Sequence, residues 1–331
     1  MADFVRWGVL GTANIGRVCV IPAIAKSGNG TLRAVASRSL ASAEELANKH
    51  GIARAYGSYE ALLADPSIDA IYIPLPNHLH LPWTLRALAA GKHVLCEKPL
   101  ALNAVEAGKM VESAQSAGLL LLEAFMYRFH PRSQQIKRLV DEGAIGLPRL
   151  VRTAFGFNLR DRGNFRFRSE MGGGALMDVG CYGVSLARWL LGAEPEQVQA
   201  QAIYGPSGVD INFVGTLRFG QGQLGVVEAS FVSALQQTYS VVGSEGALEL
   251  PHNAFIPWEK EAVFFQRGVE DEAGLVHTTP SADQYQMMVE HFAAAVQGRD
   301  SLAFDPFESV NNMRVLDALH QAATDGQTVL L

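Results

Sequence analysis

Arg6-Trp7-Gly8-Val9-Leu10-Gly11-Thr12-Ala13-Asn14-Ile15-Gly16 is the stretch that decides the fold. An apolar run reads as a buried strand that passes straight into a glycine turn, and a helix follows through about residue 26. Pro22 is expected to bend that helix or to end its first part. Strand, tight turn and helix in this order open a dinucleotide-binding βαβ unit. Gly11 allows the turn, the second motif position lets backbone approach a pyrophosphate, and Gly16 lets helix and strand pack closely. Ala13 occupies that second position, where a methyl crowds the phosphates without excluding them. A glycine pattern alone suits a structural turn equally well, and its place at the head of a strand–helix–strand unit favours a cofactor.

The second strand, residues 32–37, ends in Ser37, Arg38 and Ser39. NAD-selective folds carry an acid here for the ribose 2′-hydroxyl, whereas an arginine accommodates a 2′-phosphate. No acid occurs before Glu44, so the chain is expected to prefer NADP, with NAD possible. A plain surface cation is the competing reading of Arg38.

Helices and short strands then alternate through residue 123, giving six strands of a doubly wound parallel sheet. The fourth strand leads into Pro74-Leu75-Pro76-Asn77-His78-Leu79-His80, a stiff loop on the ligand side of the sheet. Asn77 and His80 are expected beside the nicotinamide or substrate, with Pro74 and Leu75 lining the cofactor. The fifth strand stops abruptly at Glu97-Lys98-Pro99. Ligands of open parallel sheets bind beyond the carboxyl ends of strands, which is where Lys98 stands, and Pro99 keeps the residue before it extended. Glu97 is placed with the cofactor residues.

At 331 residues the chain exceeds the size at which one core stops growing, so two domains are expected, 1–124 and 125–331, the last helix being free to pack on the first. A net charge of -6 argues against a nucleic-acid binder. No apolar run is long enough for a membrane span, and a strand begins too early to leave room for a signal peptide. Three scattered cysteines fit neither a disulfide framework nor a zinc site, no metal is expected, and a reducing cytoplasm is the simplest compartment.

Beyond residue 124 the pattern changes. Residues 125–132 are aromatic and cationic, and Arg128 is a candidate substrate contact. Segments 150–157, 197–204, 211–219, 224–231, 238–243 and 247–250 alternate and are separated by glycine turns, as in an antiparallel sheet open on one face. Such a face suits burial against a second copy of the chain. A glycine-rich start, residues 172–174, opens a helix in which Asp178 and Tyr182 are four apart and share one face. An early helical aspartate also simply answers the helix dipole, and a tyrosine simply packs. Arg160, Arg162, Arg166 and Arg168 crowd one loop whose role is open.

Together these stretches resemble the Gfo/Idh/MocA oxidoreductases over essentially the whole chain. The resemblance rests on the turn from Gly11 to Gly16, on Asn77 to His80, on Glu97-Lys98-Pro99, and on the triple glycine with Asp178 and Tyr182. It implies an α/β chain: an N-terminal Rossmann domain, then a C-terminal α+β domain built on a largely antiparallel open sheet. It implies homodimers or homotetramers through that sheet, and hydride transfer between a nicotinamide and a sugar or polyol carbon. Lys98 matches the family's catalytic lysine and Asp178 its acid. Tyr182 stands where inositol-type members carry histidine, which resembles the branch of NADP-linked D-xylose and dimeric dihydrodiol dehydrogenases.

The chemistry is consistent with this. Tyrosine titrates near about 10, and a neighbouring ammonium favours its anion, so Lys98 beside Tyr182 would bring the phenol towards working pH. Lys98 is also expected to touch the substrate oxygen, and Asp178 to orient a hydroxyl. Two other readings remain open: a nucleotide-sensing regulator without turnover, and a reductase of a non-sugar carbonyl or imine.

Overall fold

The computed structural model describes residues 4–257, 261–270 and 274–331. The chain folds as two compact units, one running through Phe129 and taking in Asp283–Val310, the other formed by His130–Ala282 with Asn311–Leu331.

In the first unit six parallel strands, β1 (Val5–Leu10), β2 (Gly30–Ala36), β3 (Arg54–Tyr56), β4 (Ala70–Ile73), β5 (His93–Cys96) and β6 (Leu121–Glu123), lie in the order β3-β2-β1-β4-β5-β6. This is the doubly wound arrangement expected from the alternation, with the order reversing beside β1. β4 is buried at every position and β5 at all but its first, because helices cover both faces of such a sheet. The helices between them are α1 (Ile21–Lys26), α2 (Leu40–His50), α3 (Tyr59–Leu63), α4 (His80–Ala89) and α5 (Ala104–Ala117). Several of their starts are set by side chains: Ser39, Ser58 and Asn103 each accept an amide of the first turn. Pro22 stands where the first part of the helix, a wider π-type turn over Gly16–Val20, gives way to α1.

The second unit contains α6 (Pro131–Asp141), β7 (Pro148–Gly156), α7 (Cys181–Leu191), β8 (Pro195–Tyr204), β9 (Asp210–Phe219), β10 (Leu224–Ser230), β11 (Gln236–Gly243) and β12 (Gly246–Leu250). Strands β13 (Glu261–Gly268) and β14 (Leu275–Pro280) extend the sheet beyond what the sequence indicated. The nine-stranded order, β14-β13-β12-β11-β7-β10-β9-β8-β15, is completed by β15 (Val329–Leu330). All pairings are antiparallel except β7 with β10, which are parallel. α7 packs against β7 and β10, while the other face of the sheet is mixed, carrying Gln199, Thr216, Arg152 and Ser240 beside the exposed Val214 and Leu224.

Two helices follow, α8 (Gln284–Val296) and α9 (Phe307–Asp325). The sequence leaves both late helices free to pack on either domain; α8 packs on α1 and sets Phe292 against Trp7, with ring centroids 5.5 Å apart. An amphipathic helix does not name the surface it will cover.

Close approach of α7 to its sheet depends on Gly183. A methyl there would collide with Thr153 Oγ1 and stand 3.0 Å from Val227 Cγ1. Alanine in a helix normally gains about 1 kcal/mol over glycine. Gly183→Ala is expected instead to lower stability by about 1–2 kcal/mol through overpacking, read from urea unfolding midpoints. An unchanged or raised midpoint would contradict this packing.

Candidate active site

The first unit builds its site at the carboxyl end of the sheet. Gly11 takes φ +100°, and its N–H donates to Ala36 O at 2.7 Å, so the chain leaves β1 sharply towards the end of β2. Thr12, Ala13 and Ile15 are half-buried and Asn14 is exposed at the start of the helix. The first amides of a helix have no intrahelical partner and favour an anion, so this accessible turn fits a pyrophosphate. Gly16 rests against Pro74 and Tyr72, which leaves no second layer between helix and sheet.

At the end of β2, Ser37 is buried and its Oγ accepts the Ser39 amide at 3.4 Å, while Ser39 caps α2. Arg38 is exposed between them. Burial pushes the neighbouring Tyr59 phenol upward, and the Arg38 charge acts against that. This strand end fits a phosphate held by one guanidinium and flanking backbone.

Glu97, Lys98 and Pro99 follow β5. From Val94 to Ala101 every residue is buried except Lys98. Glu97 does not turn towards a cofactor: its Oε1 accepts Tyr72 Oη at 2.6 Å and its Oε2 lies 3.3 Å from the Lys98 amide. Burial, reinforced by the Glu97 charge, raises the Tyr72 phenol well above its usual range, so Tyr72 keeps the proton and donates. Glu123, at the end of β6, accepts the Leu100 amide at 2.8 Å. Pro74, Leu75 and Asn77 are buried along the loop after β4.

His80 departs from expectation. It is fully buried, with Nδ1 2.9 Å from Pro99 O and Nε2 2.7 Å from Leu75 O. Both nitrogens face backbone carbonyls, and the one that carries the proton donates, so His80 sits between the loop after β4 and the loop after β5. The two carbonyls favour a charged ring, but burial outweighs them and pushes the pKa down to about 4. Arg128 is likewise engaged internally, pairing with Glu308 at 2.8 Å and lying 4.2 Å over the Phe304 ring. A guanidinium held this way braces its own unit.

In the second unit the helix start is held by two carboxylates. Asp178 Oδ2 accepts Arg166 Nε at 2.6 Å. Asp210, at the head of β9, accepts the Leu176 amide at 2.7 Å. The capping role considered for Asp178 therefore falls to Asp210. Gly174 has φ +119° and an added methyl would collide with Asp210 Oδ1, so the triple glycine is what lets this acid reach the helix. A π-type turn over Leu176–Gly180 leads into α7 and carries Asp178 and the approach to Tyr182. Tyr182 is 4% exposed, its ring packed on Phe155 and Phe255 with centroids 5.5 and 5.4 Å away. Sequence reading missed Asp210, although an acid at an inward position of an alternating strand was a usable signal.

Residues 5–125 match the profile of the oxidoreductase family with NAD-binding Rossmann fold, and residues 133–249 match the GFO/IDH/MocA C-terminal domain. A D-xylose 1-dehydrogenase (NADP(+)) of Haloferax volcanii is 41% identical over 327 residues, covering 98% of this chain and 99% of that protein. The chain belongs to the GFO/IDH/MocA oxidoreductase family. As a member it is an NAD(P)-dependent dehydrogenase or reductase. A trans-1,2-dihydrobenzene-1,2-diol dehydrogenase of Danio rerio is 37% identical over 254 residues, 76% of each chain. These two relatives fall in the branch drawn from Tyr182 and Arg38. A 3-ketoreductase from Actinomadura kijaniata, solved with NADP and TDP-benzene, superposes with TM-score 0.91 at 31% identity, covering 97% and 98% of the two chains. Structures of that ketoreductase also exist for a tyrosine-to-phenylalanine and a lysine-to-alanine variant.

Asp210 gives a pH test of the helix anchor. Burial raises its pKa, with the amides it accepts opposing. A raised carboxyl pKa means that the folded state binds the proton more tightly, so this group's stabilisation is fullest at acid pH and is lost as pH rises through the folded value. Asp210→Asn should remove that slope: wild type should lose stability relative to the variant from about pH 4 upward. Urea midpoints that stay parallel across pH would contradict it.

Proposed function

We propose that this enzyme is an NADP-dependent dehydrogenase of an aldose or related vicinal diol, in which Lys98 and Tyr182 handle the proton and Asp178 orients a substrate hydroxyl. The observation that carries this reading is that Lys98 alone is left unburied where β5 ends, among residues fixed by internal hydrogen bonds. Supporting it, the lysine and tyrosine varied in the Actinomadura ketoreductase are separated by the same number of positions as Lys98 and Tyr182. The D-xylose relative makes an aldose the first substrate to try.

Gly11, Thr12, Ala13, Asn14, Ile15 and Gly16 would hold the cofactor's pyrophosphate, and Ser37, Arg38 and Ser39 its 2′-phosphate. NADP, when bound, supplies the hydride acceptor. The chain's own part is to position the alcohol and move its proton. Lys98 donates a hydrogen bond from its ammonium to the substrate oxygen. In oxidation the Tyr182 phenolate takes the hydroxyl proton, and in reduction its phenol returns it. The aromatic seat of Tyr182 on Phe155 and Phe255 keeps water from its ring and fixes its direction.

We also infer that the open face of the nine-stranded sheet, where Val214 and Leu224 stand exposed among polar residues, joins copies into a homodimer or homotetramer, and that the enzyme works in the cytoplasm. Cys96 and Cys181, buried as thiols, suit a reducing compartment.

Lys98→Ala and Tyr182→Phe should each lower kcat by at least about 100-fold, followed as NADPH appearance with D-xylose and a panel of aldoses and diols. Near-normal turnover in both variants would sink the assigned roles. Arg38→Ala should weaken NADP binding by about 10-fold or more, as expected for a charge-assisted hydrogen bond, while leaving NAD nearly unaffected. Equal losses for both cofactors would remove Arg38 as the selector.

A further inference from the structure

Four arginines crowd residues 160–168, and three of them, Arg160, Arg162 and Arg168, are exposed. Arg166 differs. We propose that Arg166 is a positioning residue for the reaction, fixing the direction of the Asp178 carboxylate so that it can accept a substrate hydroxyl. The inference rests on reading Asp178 as the substrate-orienting acid.

The pair is short and sheltered. Arg166 Nε donates to Asp178 Oδ2 at 2.6 Å, and the two side chains are 30% and 10% exposed. A charge-assisted hydrogen bond of this length carries direction as well as energy. Arg166 is itself held from several sides. Its N–H donates to Asn164 Oδ1 at 3.2 Å, its Nη1 lies 3.5 Å from the same oxygen, and its guanidinium stands 4.9 Å from the Phe165 ring. Its carbonyl accepts the Gly174 amide at 3.0 Å. Phe167, buried, anchors the loop on Phe231 with ring centroids 5.7 Å apart.

These contacts close a small circuit. The Arg166 backbone holds Gly174, Gly174 leaves room for Asp210, Asp210 holds the Leu176 amide, and two residues later Asp178 meets the Arg166 side chain. The guanidinium and the carboxylate are therefore placed by the same segment and cannot drift independently. Truncating Arg166 would remove the hydrogen bond that sets the direction of Asp178 Oδ2, which weakens substrate orientation more than it weakens the helix. Lysine, a point charge on a flexible stem, would restore the charge without the planar geometry.

The test is a double-mutant cycle on the full chain with D-xylose and NADP. Arg166→Ala should raise KM for the sugar by about 30-fold or more, the size expected for breaking a buried charge pair. The NADP dissociation constant, read by quenching of protein fluorescence, should stay within about twofold, because the loop belongs to the substrate side in this reading. In an Asp178→Asn background the same change should cost less than about threefold, since the partner is gone. Millimolar guanidinium ion should return part of the lost rate to Arg166→Ala and none to wild type, and Arg166→Lys should recover activity only in part. If Arg166→Ala does not fold, Arg166→Gln takes its place in the cycle. Equal losses in both backgrounds, or a loss that guanidinium does not relieve and that tracks a fall in the urea midpoint, would overturn the proposal. Full activity of Tyr182→Phe would instead sink the acid–base reading and leave the coupling measured between Arg166 and Asp178 intact.

Discussion

The hydrogen bond from Tyr72 to Glu97 is the contact on which the site of the first unit depends. Glu97 stands where a buried strand ends, and a carboxylate there is costly unless donors reach it. Tyr72, fully buried on the neighbouring strand, supplies one at 2.6 Å. With that charge settled, the next residues can be fixed in turn: Pro99 O by the His80 ring and the Leu100 amide by Glu123. Lys98, between them, is the one residue of this run that is not buried. Losing one member of such a network leaves a buried polar group exposed to low dielectric, which is why these contacts stand or fall together.

The second unit solves a similar problem with two carboxylates doing different work. Asp210 belongs to a strand and reaches backbone amides at the start of a helix. Asp178 belongs to that helix and reaches a loop arginine. The amide contact at the helix start is thus made by Asp210, while the Asp178 carboxylate is engaged by Arg166. The glycine at 174 is the condition for this arrangement, because any side chain there would occupy the place of Asp210.

How much of this was legible in the chain depended on whether the deciding contact is local. The parallel sheet could be read because strands such as β4 and β5 are buried nearly throughout and appear as unbroken apolar runs ended by glycine or proline. The antiparallel sheet was read as far as β12. β14 escaped because it is an edge strand with Leu275 and Val276 exposed, so its residues do not alternate clearly. The parallel pairing of β7 with β10 and the return of α8 to the first unit are choices of partner, and sequence periodicity is silent about partners. In the site, Lys98 stood out because proline and strand end are adjacent to it. His80 and Arg128, expected near a ligand because they lie beside motifs, each meet groups far away in sequence, Pro99 and Glu308 among them, and such contacts leave no mark in a local pattern.

The central claim is that Lys98 and Tyr182 act on one substrate oxygen. A crystal structure of the enzyme with NADP and an unreactive sugar analogue tests it most directly. The account predicts Lys98 Nζ and Tyr182 Oη both within about 3.2 Å of the same sugar oxygen, the reach needed for proton transfer. A complex in which the sugar oxygen at the nicotinamide lies beyond hydrogen-bond reach of either group would contradict it.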